Sequence, residues 1–367
     1  MRIIICPDSY KGSATAAEAA EAIRNGITSV RPDAECVLLP IADGGEGSAA
    51  VIREALGAEW MHADVTGPYG ETVRAKYALC GEDAYIEMAE ASGLCLSERR
   101  EPLSASTRGT GELILDAVRR GARRITVFIG GSATCDGGIG MAEALGCRFF
   151  DADGNAVKCV GGGMQSIARI MLPDRDPLEG IAVICASDVT NPTYGEQGAA
   201  FVFAPQKGAS PEDVLALDRG LRNLADVIER GLGIDVHTLA GGGAAGGLGA
   251  GLYAFAHAEM RGGFDLIAEV LDLDRRIAEA DAVITGEGCT DTQSMMGKAV
   301  GSIAEIAKKH GKKCILVSGA VKTPDKLAEL GIYRSYSCVD HAPSVEESMK
   351  NAPEYIRLAA RELALRM

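Results

Sequence analysis

Short apolar runs in this chain keep ending in clusters of glycine, hydroxyl, acid and base, and helical periodicity follows them. Arg2 to Cys6 is such a run, closed by Pro7-Asp8-Ser9-Tyr10-Lys11-Gly12-Ser13. Thr15 with Glu18 then makes a capping box for a helix carrying Ala16, Ala20, Ile23, Ile27 and Val30. Glu35 to Ile41 is a second run, ending in Asp43-Gly44-Gly45-Glu46-Gly47-Ser48. The helix after it runs through Val51, Ile52, Ala55 and Leu56, with Gly57 as its cap. This alternation predicts a parallel sheet with helices on both faces. In such sheets ligands sit at the carboxyl ends of the strands, which is where the clusters fall.

Between Trp60 and Met88 the pattern changes to extended stretches, Val73 to Leu79 and Ala84 to Met88, around Gly67-Pro68-Tyr69-Gly70. This reads as a hairpin-like insertion. Arg108-Gly109-Thr110-Gly111-Glu112 opens another helix. Ile125 to Ile129 is a strand delivering Gly130-Gly131-Ser132, and Ile181 to Ala186 one delivering Ser187-Asp188. Pro211 to Arg230 is helical by periodicity. The alternation resumes with strand Ala282 to Thr285, helix Lys298 to His310 and strand Cys314 to Ser318, and one final helix is expected over Val345 to Leu365.

The chemistry of the clusters is consistent. Glycine lets backbone N–H groups approach an anion, and a helix starting there adds a positive dipole end. Carboxylates and lysines in the same turns suit a Mg²⁺–phosphate substrate. The formal net charge of −14 argues against nucleic acid or an anionic membrane as partner, so a phosphate site must be built locally. Aromatics are sparse at 5%, with Trp60 the single tryptophan, which disfavours a base-stacking platform. Eleven cysteines are scattered without a Cys-x-x-Cys pair and read as reduced, buried small hydrophobes. No His-Glu-x-x-His zinc motif occurs. The first apolar stretch is too short for a signal peptide and no run reaches the length of a membrane span, so the expected location is cytoplasmic.

Single motifs fail. Gly297-Lys298-Ala299 lacks the hydroxyl of a Walker A loop, and Gly247-Leu248-Gly249-Ala250-Gly251 misplaces the third glycine of a dinucleotide fingerprint. No protein-kinase element or esterase elbow is present. A constellation remains: Pro-Asp-Ser-Tyr-Lys-Gly at 7–12, Ala-Asp-Gly-Gly-Glu-Gly at 42–47 and Gly-Gly-Ser-Ala-Thr-x-Asp-Gly-Gly at 130–138. Ser-Asp-Val-Thr-Asn-Pro at 187–192, Pro-Gln-Lys-Gly at 205–208, Gly-Gly-Ala-Ala-Gly-Gly-Leu-Gly at 242–249 and Thr-Gly-Glu-Gly at 285–288 complete it. In order and over essentially the whole chain, these closely resemble the glycerate kinase type I family. Two positions depart from the family pattern: Cys135, where asparagine is usual, and Cys289-Thr290, where Arg-Ile is usual.

The resemblance implies ATP-dependent phosphorylation of D-glycerate, usually to 2-phosphoglycerate, in glycerate/glyoxylate or sugar-diacid catabolism. It implies two α/β domains with the active site in the cleft between them. A flavodoxin-like parallel-sheet domain would come from both chain ends, residues 1–90 plus 285–367, with an inserted α/β domain at 91–284. Asp188, at a strand end in a polar turn, is the first candidate for taking the hydroxyl proton, and Lys11 for holding a phosphate or the carboxylate. Ser9, Arg108, Asp43 and Glu46 are the candidates for the acid substrate. Gly130, Gly131, Ser132, Gly242, Gly243, Gly286, Glu287 and Lys298 are those for nucleotide and phosphate, with Lys207 a further candidate. Asp8, Asp43 and Asp291 are the candidate Mg²⁺ ligands. Several of these residues have a second reading as turn formers or helix caps: Asp188, Glu46 and Asp291 among the acids, and the glycine runs as packing positions. A kinase for a related small hydroxy or sugar acid is the nearest alternative, and an effector-binding module a more distant one. The oligomeric state stays open, a homodimer included.

Overall fold

The computed structural model describes residues 1–291, 299–322 and 326–367, and by contact density it divides into two compact units. The first unit takes both ends of the chain, residues 1–43 and 264–367; the second is residues 44–263. The expected division, 1–90 plus 285–367 against 91–284, draws its boundaries elsewhere. The strand Asp83–Glu87 pairs in parallel with Arg124–Phe128, so the hairpin before it belongs to the second sheet. The strand Ala282–Thr285 pairs with Arg2–Ile5 and belongs to the first.

The first unit holds a five-stranded, wholly parallel sheet. Its order in space is Ile332–Ser337, Lys313–Ser318, Ala282–Thr285, Arg2–Ile5, Glu35–Leu38. Numbered along this unit the order is 2-1-3-4-5, that of the flavodoxin-like fold. The central strands read as near-continuous apolar runs because both faces are covered. Ile3 and Ile5 pack on one face with the helices Ala16–Thr28 and Ala352–Leu365, whereas the helix Ala299–Lys309 packs on the strands Ala282–Thr285 and Lys313–Ser318. Each isoleucine buried this way is worth about 1.5–3 kcal/mol. The two helices on the first face approach closely at Gly26, where a Cβ would lie 2.4 Å from the Arg357 carbonyl oxygen.

The capping box at Thr15 and Glu18 is present in full, and Gly57 ends its helix at φ 64°. The single helix expected over 345–365 is two, Val345–Lys350 and Ala352–Leu365. Pro353 disfavours helical geometry in the residue before it and cannot donate to a preceding carbonyl, so the helix restarts around Asn351.

The second unit carries a six-stranded mixed sheet in the order Glu259–Arg261, Ala182–Ala186, Arg124–Phe128, Asp83–Glu87, Thr72–Cys80, Glu59–Thr66. The last two strands form the antiparallel hairpin expected between Trp60 and Met88. The helix Pro211–Leu232 is the longest element and begins with a capping box at Ser210 and Asp213. All eleven cysteines are unpaired. Among the described residues no helix is long and apolar enough to cross a membrane.

Candidate active site

In the first unit the chain steps from the strand Arg2–Ile5 to its neighbour Glu35–Leu38 on one side. It later returns to place Ala282–Thr285 on the other side. The loops leaving the carboxyl ends of Arg2–Ile5 and Ala282–Thr285 therefore part in opposite directions, which opens a crevice at the sheet edge. Those loops are residues 6–15 and 286–291, the two richest in expected site residues.

Three hydrogen bonds anchor the first loop, one to the second loop and two to the neighbouring strands Ala282–Thr285 and Lys313–Ser318. Asp8 donates its backbone N–H to the Gly286 carbonyl at 2.8 Å, Thr285 Oγ1 donates to the Cys6 carbonyl at 3.0 Å, and Tyr10 Oη donates to the Val317 carbonyl at 2.6 Å. The crossing is tight enough to require glycine at 286, since a Cβ there would sit 1.9 Å from the Val317 carbonyl oxygen. Gly286 thus has a packing reason for being glycine. The crevice is a cavity of about 470 Å³ whose polar lining includes Asp8, Ser9, Lys11, Asp43 and Glu287. Val339, Met349, Ala352 and Ile356 are among its apolar lining.

Electrostatics single out Asp8. It is buried, and burial pushes its carboxyl up to about 7, helped by the charges of Asp43 and Glu287; the Ser9 N–H at 2.6 Å and the Lys11 ammonium pull the other way. Lys11 lies 3.7 Å from Asp43 with its side chain 75% exposed, a pair worth well under 1 kcal/mol that leaves the ammonium able to meet a ligand. Glu287 accepts a hydrogen bond from Thr290 Oγ1 at 3.0 Å. Ser318 Oγ donates to the Glu287 carbonyl at 3.0 Å, so the backbone and side chain of Glu287 are both held. Thr290 enters the sequence reading only as a departure from the family pattern, and Ser318 not at all; the two hold Glu287, and their spacing carries no signal of that.

Among the described residues no three His, Cys, Asp or Glu side chains converge into a ready-made metal cage. Mg²⁺ is commonly held by one or two carboxylates together with substrate phosphates. Asp8 and Asp43, close enough for the charge of one to act on the other, are the two carboxylates that could serve in this way. Asp291 is half-buried after the short strand Cys289–Thr290. Lys298 lies outside the described residues.

In the second unit, Gly130, Gly131 and Ser132 follow the strand Arg124–Phe128 at its carboxyl end. Gly131 has φ +76°, and Ser132 Oγ accepts a hydrogen bond at 2.7 Å from Lys207, whose Nζ also bonds the Thr134 carbonyl at 2.6 Å. Asp136 in the same loop is fully buried. It accepts from the Thr107 N–H and hydroxyl, both at 2.8 Å, and from the N–H groups of Gly138 and Gly140. Burial pushes its carboxyl up despite these donors. Asp136 therefore shapes the loop.

The remaining candidates divide by what they already touch. Asp188 is exposed in the turn after Ala182–Ala186, a turn closed by Val189 N–H on Ser187 Oγ and by Asn191 Nδ2 on the Gln197 carbonyl. Arg108 starts its helix and bonds Glu112 at 3.0 Å and Glu143 at 2.6 Å, so much of its fork is engaged within the protein. Glu46 is exposed, and the helix after it, Ser48–Leu56, is capped by Glu87, which accepts from the N–H groups of Gly47 and Ala49. Gly242 and Gly243 are buried. A Cβ on them would lie 2.5 Å from Thr193 Oγ1 and 2.2 Å from the Pro192 carbonyl oxygen, so close packing alone explains these glycines. Cys135 is fully buried, with its thiol pushed up to about 12 by burial, whereas Cys289 is exposed beside the crevice of the first unit.

The glycerate kinase family matches residues 3–367. The chain is 44% identical to a glycerate 2-kinase of Escherichia coli (strain K12), covering 99% of this chain and 97% of that one. It is 42% identical, with the same coverage, to a glycerate kinase of Halalkalibacterium halodurans. A crystal structure from Salmonella typhimurium LT2, described as a glycerate kinase 2, superposes with a TM-score of 0.85 at 43% identity, covering 100% of this chain and 98% of that one.

Proposed function

The chain belongs to the glycerate kinase family, and on that footing we propose that it transfers the terminal phosphoryl group of ATP to D-glycerate, giving 2-phosphoglycerate and ADP. The observation that carries the reading is the convergence of Asp8, Lys11, Asp43 and Glu287 at the strand-order reversal of the first unit. Phosphoryl transfer asks mainly for positioning and charge neutralisation, and acids mixed with a lysine supply both. The apolar part of the cavity's lining suits a purine, and its acids and Lys11 suit Mg²⁺-bound phosphates. Transfer to the 2-hydroxyl is the reading favoured by the name of the Escherichia coli relative. A role in glycerate/glyoxylate or sugar-diacid breakdown follows from the resemblance.

The roles follow from each residue's surroundings. Asp8 and Asp43 would hold Mg²⁺, which when bound neutralises charge on the phosphate oxygens. Lys11, exposed and only loosely paired, binds a phosphate or carboxylate oxygen. Glu287, fixed through Thr290 and Ser318, keeps the second loop of the crevice in place. Asp188, in its pre-formed turn, takes the proton of the glycerate hydroxyl as the oxygen attacks phosphorus.

ADP formation followed with ATP and a panel of small hydroxy acids tests the reading. D-glycerate should be the preferred acceptor, and turnover should fall to background in excess EDTA and return with added Mg²⁺. Full turnover in EDTA would remove the roles given to Asp8 and Asp43. Preference for another acid would move the protein to the neighbouring substrate class.

A further inference from the structure

Lys207 is 2% exposed, and the two acceptors its ammonium meets, Ser132 Oγ and the Thr134 carbonyl, are both uncharged. Among the described residues no carboxylate is ion-paired with it. Asp136 acts on it electrostatically, but the Asp136 oxygens are taken by Thr107, Gly138 and Gly140. An ammonium carries three donors, so one is left over; in the same loop Thr134 Oγ1 is buried with no partner among the described residues. A buried cation without a counter-charge is costly to keep. Both groups that Lys207 holds belong to the Gly130–Thr134 turn. There the backbone N–H groups of Gly130 and Gly131 meet no acceptor among the described residues, and the positive φ of Gly131 opens the turn.

We infer that Lys207 is a positioning residue of the kinase: it fixes Ser132 Oγ and the 130–134 turn to receive an oxyanion of the substrates, a phosphate or a carboxylate, and supplies the positive charge behind it. The inference rests on the kinase reading above and assigns the function to a lysine enclosed with the 130–134 turn. Burial lowers the Lys207 ammonium to about 8, opposed by the negative charge of Asp136; the Cys135 thiol, which burial keeps neutral at working pH, brings no charge of its own. The cation is therefore present at pH 7 and lost as pH rises past 8. The fold gains stability over the same rise, because below it the unfolded chain accommodates the charge more easily than the folded one.

The test compares wild type, K207M and S132A at pH 7 and pH 9. The readouts are KM for ATP and for D-glycerate, equilibrium binding of each by calorimetry, and melting temperature. At pH 7, K207M should weaken binding of one substrate at least tenfold, and S132A should weaken the same substrate less. An effect on ATP identifies the oxyanion as phosphate, and one on glycerate as carboxylate. At pH 9, where wild type has lost the charge, the K207M difference should shrink to threefold or less. The inference is overturned if K207M binds both substrates within twofold of wild type at pH 7. It is equally overturned if its defect is as large at pH 9, which is what a purely structural lysine would give. Should K207M not fold, S132A and the wild-type pH dependence decide: both substrates bound as tightly by S132A as by wild type, with no loss for wild type between pH 7 and 9, refutes it. Calorimetry keeps the question separate from turnover: a wild type that makes no phosphoglycerate refutes the kinase reading, whereas an unchanged K207M refutes only this inference.

Discussion

Replacing Asp188 with asparagine should lower kcat on the order of 10²-fold or more and leave the melting temperature within about a degree or two of wild type. The asparagine keeps size and turn-forming capacity and removes the negative charge and basicity. Stability is spared because Asp188 is exposed, and bonds of Ser187 and Asn191 close its turn. Steady-state kinetics with saturating ATP and glycerate, paired with a thermal melt, measures both quantities. A well-folded variant with near-normal kcat would make Asp188 a turn former only. The proton acceptor would then be sought among Asp8, Asp43 and Glu287.

The second large effect joins activity to stability with opposite signs. Asp8→Asn should abolish most activity and yet raise the melting temperature of the metal-free protein at pH 8. The folded carboxyl titrates near 7 and an unfolded aspartate near 3.8, so the folded state holds the extra proton between these values. Wild-type stability must then fall at this group as pH climbs from about 4 to 7, and the full cost is in place above 7. A gap of about three pK units corresponds to at most about 4 kcal/mol. Half of that would shift a melt by roughly 4–8 °C. The amide can keep the acceptor for the Ser9 N–H, so the turn survives. The gain should vanish at pH 4, where both proteins are uncharged at this position. A variant less stable than wild type at pH 8 would show that Asp8 is well satisfied as an anion and carries no stored cost.

Local rules carried much of the fold. The apolar runs at Arg2, Ala282 and Cys314 needed burial on both faces, and the Thr15–Glu18 and Gly57 caps are short-range chemistry. The strand order and the return of the chain from the second unit are long-range facts, and periodicity is blind to them; the resemblance supplied the discontinuity. The domain boundaries expected at 90/91 and 284/285 missed that Asp83–Glu87 is a parallel partner of Arg124–Phe128. Pro353 was a legible helix break that the apolar periodicity of Val345 to Leu365 masked.

Parts of the site were legible for the same reason. Asp8, Lys11 and Asp43 come from consecutive strand ends, so β-loop-α alternation alone brings them near one crevice. Burial was not legible. The sequence gives no sign that Asp8 resists ionisation, that Lys207 is enclosed by uncharged oxygens, or that Arg108 is already bonded to Glu112 and Glu143. Glycine is ambiguous on its own, since phosphate contact and close packing ask for the same missing Cβ. At Gly242, Gly243 and Gly286 the neighbouring atoms supply the packing reason.

Phosphorus NMR of the reaction of purified protein with ATP, Mg²⁺ and D-glycerate tests the proposed activity at its root. The proposal predicts ADP together with a single new phosphomonoester resonance that coincides with authentic 2-phosphoglycerate. A resonance matching 3-phosphoglycerate would contradict the assigned hydroxyl. ATP left intact beside D-glycerate, with the protein folded and Mg²⁺ present, would contradict the kinase reading itself.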